Sequence, residues 1–338
     1  MLTIKRHIVI PVFVPHKGCP FDCIYCNQKT ISGQFREASE ADIRKTIEEH
    51  LDTGGDAFVE IGFYGGSFTG ISREEQKWYL EIGHSYIKAG RVKQLRLSTR
   101  PDYINTDILD FLSAYEVRTI ELGAQSLDEQ VLCNSNRGHD IAAVVRASKL
   151  IKDRGFSLGI QTMLGLPGDT RQKALETAQK VIEMAPDLVR IYPTLVIRDT
   201  FLEKLYLAGK YTPLGLEEAV DISAALLEMY EQKDINVIRI GLQPTESISR
   251  DGEVIAGPFH PAFRQLVQSR LMRNRLEQFF RENKLSNLKE VIIQCRSKNI
   301  SNIIGQKREN LQKLMTDFNI SSIKVIVNDN ISEFNVKY

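Results

Sequence analysis

Residues 16–33 read His-Lys-Gly-Cys-Pro-Phe-Asp-Cys-Ile-Tyr-Cys-Asn-Gln-Lys-Thr-Ile-Ser-Gly, and they place Cys19, Cys23 and Cys26 in the spacing Cys-x3-Cys-x2-Cys. Thiolates are soft ligands that select zinc, copper(I) or iron-sulfur clusters. Structural zinc and electron-transfer clusters take four protein ligands, whereas this segment supplies three. A [4Fe-4S] cube held by three cysteines keeps one iron open for a substrate or cofactor. The spacing therefore predicts a catalytic cluster.

A fourth ligand from a distant part of the chain is the alternative, and it would make the site a structural zinc knuckle or a closed cluster. Cys133, Cys295 and histidines such as His16 are the candidates for that ligand. Spacing alone does not exclude them, because ligands far apart in sequence can meet in the fold.

Residues 18–27, Gly-Cys-Pro-Phe-Asp-Cys-Ile-Tyr-Cys-Asn, resemble the cluster loop of the radical S-adenosylmethionine (SAM) superfamily, with Tyr25 as the aromatic residue before the third cysteine. The resemblance implies a [4Fe-4S] cluster on Cys19, Cys23 and Cys26, with SAM chelating the open iron. It also implies reductive cleavage of SAM to a 5'-deoxyadenosyl radical, and hence a one-electron donor of the flavodoxin or ferredoxin type.

Length and composition suit one large domain with a small appendage: 338 residues, of which 42% are hydrophobic and 26% charged. The formal net charge is +1, so any nucleic-acid signal must be local. Five cysteines without a disulfide framework indicate a cytoplasmic protein. The apolar segment 8–14 contains Pro11 and leads into the cysteines, which favours a strand over a signal peptide. No apolar run reaches the roughly 18 residues of a membrane span, so no membrane partner is expected.

Short β-branched apolar runs alternate with longer amphipathic stretches, which is typical of βα units around a parallel sheet. The predicted strands are 8–14, 58–64, 95–99, 119–124, 157–163, 188–192 and 237–242. The predicted helices between them are 40–51, 73–89, 106–115, 141–154, 171–184 and 216–232. This alternation predicts an α/β fold with a partial (open) TIM-type (β/α) barrel. A doubly wound sheet has the same alternation and is the alternative.

Glycine-rich and polar motifs follow several predicted strands, and the carboxyl ends of parallel strands carry the active site in such barrels. The resemblance to radical SAM proteins implies a SAM site formed by Tyr25, Gly65, Gly66, Ser67, Ser98, Gln125, Arg137 and Gln161. In it the Gly-Gly-Ser turn receives the SAM amine, in place of the commoner Gly-Gly-Glu. A tight turn at the glycines and a surface ion pair at Arg137 are the structural alternatives.

A narrower resemblance covers roughly residues 7–245. It depends above all on residues 190–200, Arg-Ile-Tyr-Pro-Thr-Leu-Val-Ile-Arg-Asp-Thr, and on residues 209–213, Gly-Lys-Tyr-Thr-Pro. These blocks resemble the radical SAM half of the Elongator catalytic subunit, which modifies carbon 5 of the wobble uridine of tRNA. The resemblance implies tRNA as partner. Because nothing after residue 245 resembles the acetyltransferase domain, it also implies another acetyl donor, an acyltransferase partner or a different transferred group.

The composition shifts after residue 245, which predicts a radical SAM domain at 1–245 and a basic C-terminal region at 246–338. Residues 260–315 contain twelve Lys or Arg against four Asp or Glu. This excess indicates a phosphate-facing surface, or a helix face balanced by acidic residues elsewhere.

The end of the chain resembles a small α+β RNA-binding unit of the KH type, in which a Gly-x-x-Gly turn clamps the nucleic-acid backbone. Arg308 replaces the second glycine in Gly305-Gln306-Lys307-Arg308. Lys307 and Arg308 are the predicted RNA contacts, and a cap that closes the barrel is the alternative.

The leading prediction is therefore a radical SAM enzyme that modifies tRNA. One alternative applies the same chemistry to a tetrapyrrole or another small molecule, as in relatives of the coproporphyrinogen dehydrogenase type. The other is a non-enzymatic RNA-binding protein with a structural metal site. The sequence assigns no catalytic residue. Tyr192, His139 and Arg190 are substrate candidates by position only, with packing or support of the site as their alternative role.

Overall fold

The computed structural model describes residues 6–14, 19, 23–27, 38–53, 55, 57–242, 248–249 and 252–338. The chain divides into two compact units. The first comprises Met1–Leu214 with Tyr230–Phe259, and the second comprises Gly215–Met229 with His260–Tyr338. The predicted domain boundary at residue 245 lies outside the described residues and stays a prediction.

The first unit is built on a sheet of seven parallel strands whose order in the sheet is their order in the chain. The strands are β1 (His7–Val14), β2 (Phe58–Gly65), β3 (Gln94–Thr99), β4 (Val117–Gln125), β5 (Ser157–Leu164), β6 (Leu188–Pro193) and β8 (Asn236–Ile240). The short strands β7 (Val196–Ile197) and β9 (Val254–Ala256) form a separate antiparallel pair. A doubly wound sheet reverses its strand order at a switch point, and this sheet has no reversal. The predicted partial (β/α) barrel is confirmed.

Helices connect the strands of the barrel. They are α1 (Glu40–Asp52), α2 (Arg73–Lys88), α3 (Thr106–Ser113), α4 (Glu129–Asn134), α5 (Ile141–Asp153), α6 (Arg171–Glu183) and α7 (Phe201–Leu207). A following helix, α8 (Leu216–Glu231), contributes residues to both units. Capping boxes begin the first two helices, because Ser39 and Ser72 exchange hydrogen bonds with Asp42 and Glu75.

The strands of the barrel have a sealed outer face and a more accessible inner face. In β6, half-buried Arg190 and Tyr192 alternate with buried neighbours. The Arg190 Nη2 donates to the Tyr64 hydroxyl on β2 at 3.0 Å, although three strands separate β6 from β2 in the sheet. The sheet must therefore curl around an interior, and the half-buried side chains line that interior.

The second unit is a small α+β unit, as predicted. After α8 it contains α9 (Phe263–Glu282), β10 (Val291–Cys295), α10 (Ile300–Ile304), α11 (Glu309–Asp317), β11 (Ile323–Val327) and β12 (Phe334–Lys337). The central strand β10 pairs parallel to β11 and antiparallel to β12. Its own hydrophobic core includes Leu276, Phe280, Ile293 and Leu314. In neither unit does a described helix have the length and hydropathy needed to cross a membrane.

Candidate active site

The cysteine loop follows the carboxyl end of β1, and its described residues are attached to the barrel by backbone hydrogen bonds. Cys23 is buried, whereas Cys19 and Cys26 are half-buried. The Cys26 N–H donates to the Cys23 carbonyl at 2.9 Å and forms a tight turn. The Ile24 N–H donates to the Ser135 carbonyl at 3.2 Å, just after α4. The loop is thereby held at the end of the barrel where active sites of this architecture form.

Arg137 places a buried cation against this loop. Its side chain is 6% exposed, and Nη1 donates to Cys23 Sγ at 3.3 Å. Nη2 donates to the Gly123 carbonyl at 2.6 Å, and Nε donates to His139 Nε2 at 3.1 Å. Burial excludes the alternative of a surface ion pair. A guanidinium carries five N–H groups, and two of them have no partner among the described residues, so they can serve an anionic ligand.

Burial and the Arg137 charge shift the pKa values of two neighbouring groups, in opposite directions at Cys19 and in the same direction at His139. Burial raises the pKa of the Cys19 thiol, and Arg137 and the Ser67 backbone N–H offset part of the rise. Burial, assisted by Arg137, lowers the pKa of His139 to about 4, so the imidazole is neutral near pH 7. Its Nε2 can therefore accept the hydrogen bond from Arg137 Nε. Because the thiolate is the form of cysteine that binds a metal, the charge of Arg137 favours the ligand form of Cys19.

The Gly65-Gly66-Ser67 turn ends β2 beside the loop. Gly65 has φ 113°, and a Cβ there would lie 2.5 Å from the Val14 carbonyl oxygen, so the close approach of β1 and β2 requires glycine. The Ser67 hydroxyl is buried, lies 2.8 Å from Thr99 Oγ1 and accepts the Arg100 N–H at 3.2 Å. Because Thr99 and Arg100 already occupy this hydroxyl, the backbone groups of the turn are the part that can contact a ligand.

Arg100 is a site residue that the sequence analysis did not single out. It is 2% exposed, and its Nη1 donates to the Arg137 carbonyl at 2.8 Å. Its Nε and Nη2 donate to the two carboxylate oxygens of Asp102, each at 2.9 Å. Arg100 thus supports the backbone that carries Arg137. Its place directly after a predicted strand was the only signal in the sequence.

Gln125, Gln161 and Ser98 lie on strands of the barrel near the same end. Gln161 Nε2 donates to Gln125 Oε1 at 3.2 Å. Gln125 has φ 67°, at a register shift between β4 and β5, and such irregularities redirect side chains at functional sites. Ser98 is half-buried and in register with Glu121. Among the described residues, Gln125 Nε2 and Gln161 Oε1 have no hydrogen-bond partner and can contact a ligand. The SAM contacts of Gln125, Gln161 and Ser98 stay predictions.

The segment after β6 holds the cysteine loop, a role that the sequence did not predict. The Leu202 N–H donates to the Ile24 carbonyl at 2.7 Å, and the Asn27 Nδ2 donates to the Arg198 carbonyl at 3.1 Å. Buried Val196 and Leu202 pack with Ile24 in one hydrophobic cluster. Residues 194–202 therefore hold the loop in place, and we call them the loop clamp.

Tyr211 belongs to the same hydrophobic cluster and connects it to the end of β5. Its hydroxyl donates to the Gly165 carbonyl at 2.6 Å, and the Gly165 N–H donates to Asp169 at 2.8 Å. Tyr25 packs against this cluster, and burial raises its pKa well above the ordinary value. The blocks 190–200 and 209–213 and the turn after β5 thus form one structure beside the cysteine loop.

Ion pairs cross the barrel interior from β2 to β6, and we call the residues that form them the interior ion network. Its members are Glu60, Tyr64, Arg96, Glu121, Arg190 and Tyr192. Arg96 lies 3.0 Å from Glu60 and 2.7 Å from Glu121, and Arg190 Nη2 donates to Glu121 at 3.0 Å. Two carboxylates and two guanidinium groups balance one another, as buried charges require.

Glycines on the inner face provide the space for this network. A Cβ at Gly62 would lie 2.5 Å from the Tyr64 ring, and a Cβ at Gly159 would lie 2.8 Å from Glu121 Cγ. Any larger residue at these positions would displace the network. Glycine inside a strand weakens the sheet, so these two positions indicate that room for the network side chains is required there.

Three cysteine thiols form a soft donor set of the kind that holds an iron-sulfur cluster. Among the described residues, no three His, Cys, Asp or Glu side chains surround a point where a single metal ion could bind. Of the other candidate ligands, Cys133 is exposed and Cys295 is buried in the core of the second unit. His16 lies outside the described residues.

Comparison with protein families matches most of the chain. The profile of the Radical SAM superfamily matches residues 13–181, which is half of the chain and includes the three cysteines, the glycine turn and Arg137. The profile of the Radical_SAM C-terminal domain matches residues 186–273.

Relatives among curated proteins cover part of the chain. An uncharacterized protein of Methanocaldococcus jannaschii is 31% identical over 221 residues, 64% of this chain and 65% of that protein. The tRNA uridine(34) acetyltransferase of Methanocaldococcus infernus is 27% identical over 184 residues, 48% of this chain and 34% of that protein. Human Elongator complex protein 3 is 28% identical over 191 residues, 51% and 35% of the two chains. The present chain spans less than two thirds of each relative.

A solved structure shares the fold. Archaeal Elp3 of Methanocaldococcus infernus, with its N-terminus deleted, superposes with a TM-score of 0.64 and 21% identity, covering 84% of this chain and 64% of that chain.

Proposed function

Because the chain belongs to the radical SAM superfamily, we propose that it cleaves SAM in order to modify tRNA at carbon 5 of the wobble uridine. The observation that carries the proposal is the contact of buried Arg137 with the three-cysteine loop at the end of an accessible barrel interior. The relative named for acetylation of tRNA uridine 34 supports the RNA part. The transferred group would come from an acetyl donor or an acyltransferase partner.

Residues at the end of the barrel would bind the two cofactors. Cys19, Cys23 and Cys26 would hold the [4Fe-4S] cluster, with Arg137 balancing charge at Cys23. When bound, the cluster would supply the one-electron reduction of SAM, with a flavodoxin or ferredoxin type protein as the electron donor. For SAM we assign the Gly65-Gly66 backbone to the amine and the remaining Arg137 N–H groups to the carboxylate. The sugar and base would meet Tyr25, Ser98, Gln125 and Gln161.

The turn at residues 305–308 is the proposed contact with the RNA backbone. It joins α10 to α11 between the parallel strands β10 and β11, as the KH-type resemblance implies. Buried Asn310 fixes it, because its Nδ2 donates to the Ser269 carbonyl at 3.0 Å and to the Asn302 carbonyl at 2.9 Å. Lys307 and Arg308 adopt left-handed conformations with φ 49° and 66°, and both side chains are exposed. Such strain in non-glycine residues is typical of functional sites.

The central arginines of α9 are paired with carboxylates, which favours this turn over the helix as the contact with RNA. Ion pairs within the second unit engage its central arginines: Arg270 with Glu217 and Asp221, and Arg275 with Glu228 and Glu333. Acidic residues elsewhere therefore balance that helix, which was the alternative considered for the charge excess. Lys307 and Arg308 pair with no carboxylate among the described residues, so they remain available for phosphate.

The function is tested with anaerobically reconstituted protein and an anticodon stem-loop that carries uridine at the wobble position. We expect the RNA to stimulate formation of 5'-deoxyadenosine and to gain mass at that uridine. If the protein cleaves SAM at the same rate with and without the RNA and the RNA gains no mass, the tRNA proposal is contradicted and a small-molecule substrate is favoured.

The RNA surface is tested by replacing Lys307 and Arg308 together with alanine. Losing two phosphate contacts should weaken RNA binding and reduce the slope of log affinity against log salt by about 1.4. Alanine at exposed Lys88 and Lys93 of the first unit is the matched control and should change neither. Equal affinity in both double variants would show that the turn does not bind RNA.

A further inference from the structure

Tyr192 ends the interior ion network with a hydroxyl that still has a proton to donate. Its oxygen accepts a hydrogen bond from Arg190 Nη1 at 3.3 Å, and no acceptor for its proton lies among the described residues. The Tyr64 hydroxyl differs, because it accepts from Arg190 and donates to Glu121 at 3.1 Å. Of the two tyrosine hydroxyls in the network, only that of Tyr192 can serve a ligand as donor.

Arg190 holds Tyr192 without being available to a ligand itself. Its guanidinium contacts Glu121 through Nε and Nη2, donates to the Tyr64 hydroxyl and lies 5.0 Å from the centre of the Tyr64 ring. A guanidinium fixed from several directions cannot turn towards a substrate. A hydroxyl that accepts a hydrogen bond from a cation becomes a stronger donor, because chains of hydrogen bonds polarise one another.

Strand register relates Tyr192 to the cysteine loop. Gly123, whose carbonyl accepts from Arg137, pairs with Gln161 on β5, and Gln161 pairs with Arg190 on β6. Neighbouring strands lie about 4.8 Å apart, so Arg190 and Tyr192 are displaced about 10 Å across the sheet from the Arg137 contact. Tyr192 is also two residues nearer the carboxyl end of β6 than Arg190. In the proposed function the ligands lie within this separation.

We propose that the Tyr192 hydroxyl donates a hydrogen bond to a ring carbonyl oxygen of the substrate base, and that Arg190 is a positioning residue that orients and polarises it. The inference rests on the proposed function, in which the base is uracil. The other inner-face groups with free hydrogen-bonding capacity, on Ser98, Gln125 and Gln161, are assigned to SAM. The network carboxylates are acceptors and cannot bind a carbonyl oxygen. Tyr192 thus determines which ring atom faces the cysteine loop.

The first test compares wild type with Tyr192→Phe, and with Tyr115→Phe as a control that loses a hydroxyl outside the interior. Formation of 5'-deoxyadenosine is measured without RNA and with the wobble-uridine stem-loop. For each protein the RNA-stimulated rate is divided by its own RNA-independent rate. In Tyr192→Phe this ratio should fall about 3- to 10-fold, which corresponds to one hydrogen bond of roughly 0.5–1.5 kcal/mol. Tyr115→Phe should match wild type in every measurement.

A second test observes the contact without turnover. With 3-fluorotyrosine incorporated at position 192, the fluorine NMR resonance should shift on addition of the uridine stem-loop. It should stay in place with a stem-loop that is abasic at the same position. This readout responds to the base itself, whereas a merely structural role of Tyr192 would leave it unchanged.

Two results would overturn the inference while the proposed function stands: equal RNA stimulation of Tyr192→Phe and wild type, or equal fluorine shifts with both stem-loops. A wild-type enzyme that no RNA stimulates would instead overturn the proposed function, and the assignment of uracil to Tyr192 with it.

Discussion

Gly123 and Arg137 are fitted to each other atom by atom. The Arg137 Nη2 lies 2.6 Å from the Gly123 carbonyl oxygen, and a Cβ at Gly123 would lie 2.9 Å from the same nitrogen. The added atom would also lie 3.0 Å from Gln125 Nε2. Glycine is therefore required here by the guanidinium and the amide that meet beneath the cysteine loop.

Gly123→Ala should displace Arg137 from Cys23 and lower the rate of SAM cleavage about 10- to 100-fold, because small misplacements at a reacting centre have large effects. The measurement is 5'-deoxyadenosine formation at equal cluster content. Gly215→Ala is the control, since nothing lies within 4 Å of its added Cβ. Wild-type activity in Gly123→Ala would show that the Arg137 contact is dispensable.

His139 makes stability depend on pH. Its folded pKa of about 4 lies below the ordinary 6.5, so between these values the unfolded chain binds more protons than the folded protein. Stability from this group is therefore complete above about pH 6.5 and is lost as the pH falls towards 4, by about 3 kcal/mol in total. Denaturant unfolding of the cluster-free protein, compared with His139→Gln across this range, measures the loss. Parallel pH dependences of the two proteins would contradict it.

At the scale of elements, regular structure was easier to predict than the contacts between segments. Strands and long helices lie within two residues of the bounds expected from hydrophobic patterning, and the largest differences are at the first residue of β4 and the final residues of β8 and α3. The helices α4 and α7 are too short for a periodic pattern. Motifs identified the cysteines and Arg137 as candidates. The roles of Arg100 and the loop clamp depend on contacts between segments far apart in sequence, which a pattern cannot reveal.

Leu202→Ala tests the loop clamp. Leu202 is fully buried against Ile24, and Leu109 of α3 is equally buried on the outer helical layer. Each substitution should destabilise the protein by about 2–5 kcal/mol, because each leaves a cavity. Only Leu202→Ala should shorten the lifetime of the reconstituted cluster, followed by the loss of its visible absorbance. Equal lifetimes in the two variants would show that the clamp does not hold the loop.

At the scale of the whole molecule, the barrel interior contains the charge-balanced interior ion network. The candidate cofactor residues lie at the carboxyl ends of its strands. Glu60, Arg96 and Glu121 are each at most 3% exposed, so their pairing is required for folding as well as for shape. The same curled sheet aligns Arg190 and Tyr192 with the interior. Stability and substrate position therefore depend on the same residues.

Glu121→Gln should destabilise the protein by about 3–5 kcal/mol, because it leaves Arg96 and Arg190 with unbalanced buried charge. The midpoint of denaturant unfolding measures the change. Exposed Glu74→Gln is the control and should alter stability by no more than about 0.5 kcal/mol. Equal stability of the two variants would mean that the network contributes no net stabilisation.

The central claim is that three cysteines leave one cluster iron open for SAM. Electron paramagnetic resonance of the reduced, reconstituted protein tests it most directly. We predict that adding SAM changes the cluster spectrum, that alanine at Cys19, Cys23 or Cys26 removes the cluster, and that Cys133→Ala leaves both the cluster and its response to SAM intact. A cluster whose spectrum ignores SAM, or one that is lost in Cys133→Ala, would show a fourth protein ligand and contradict the account.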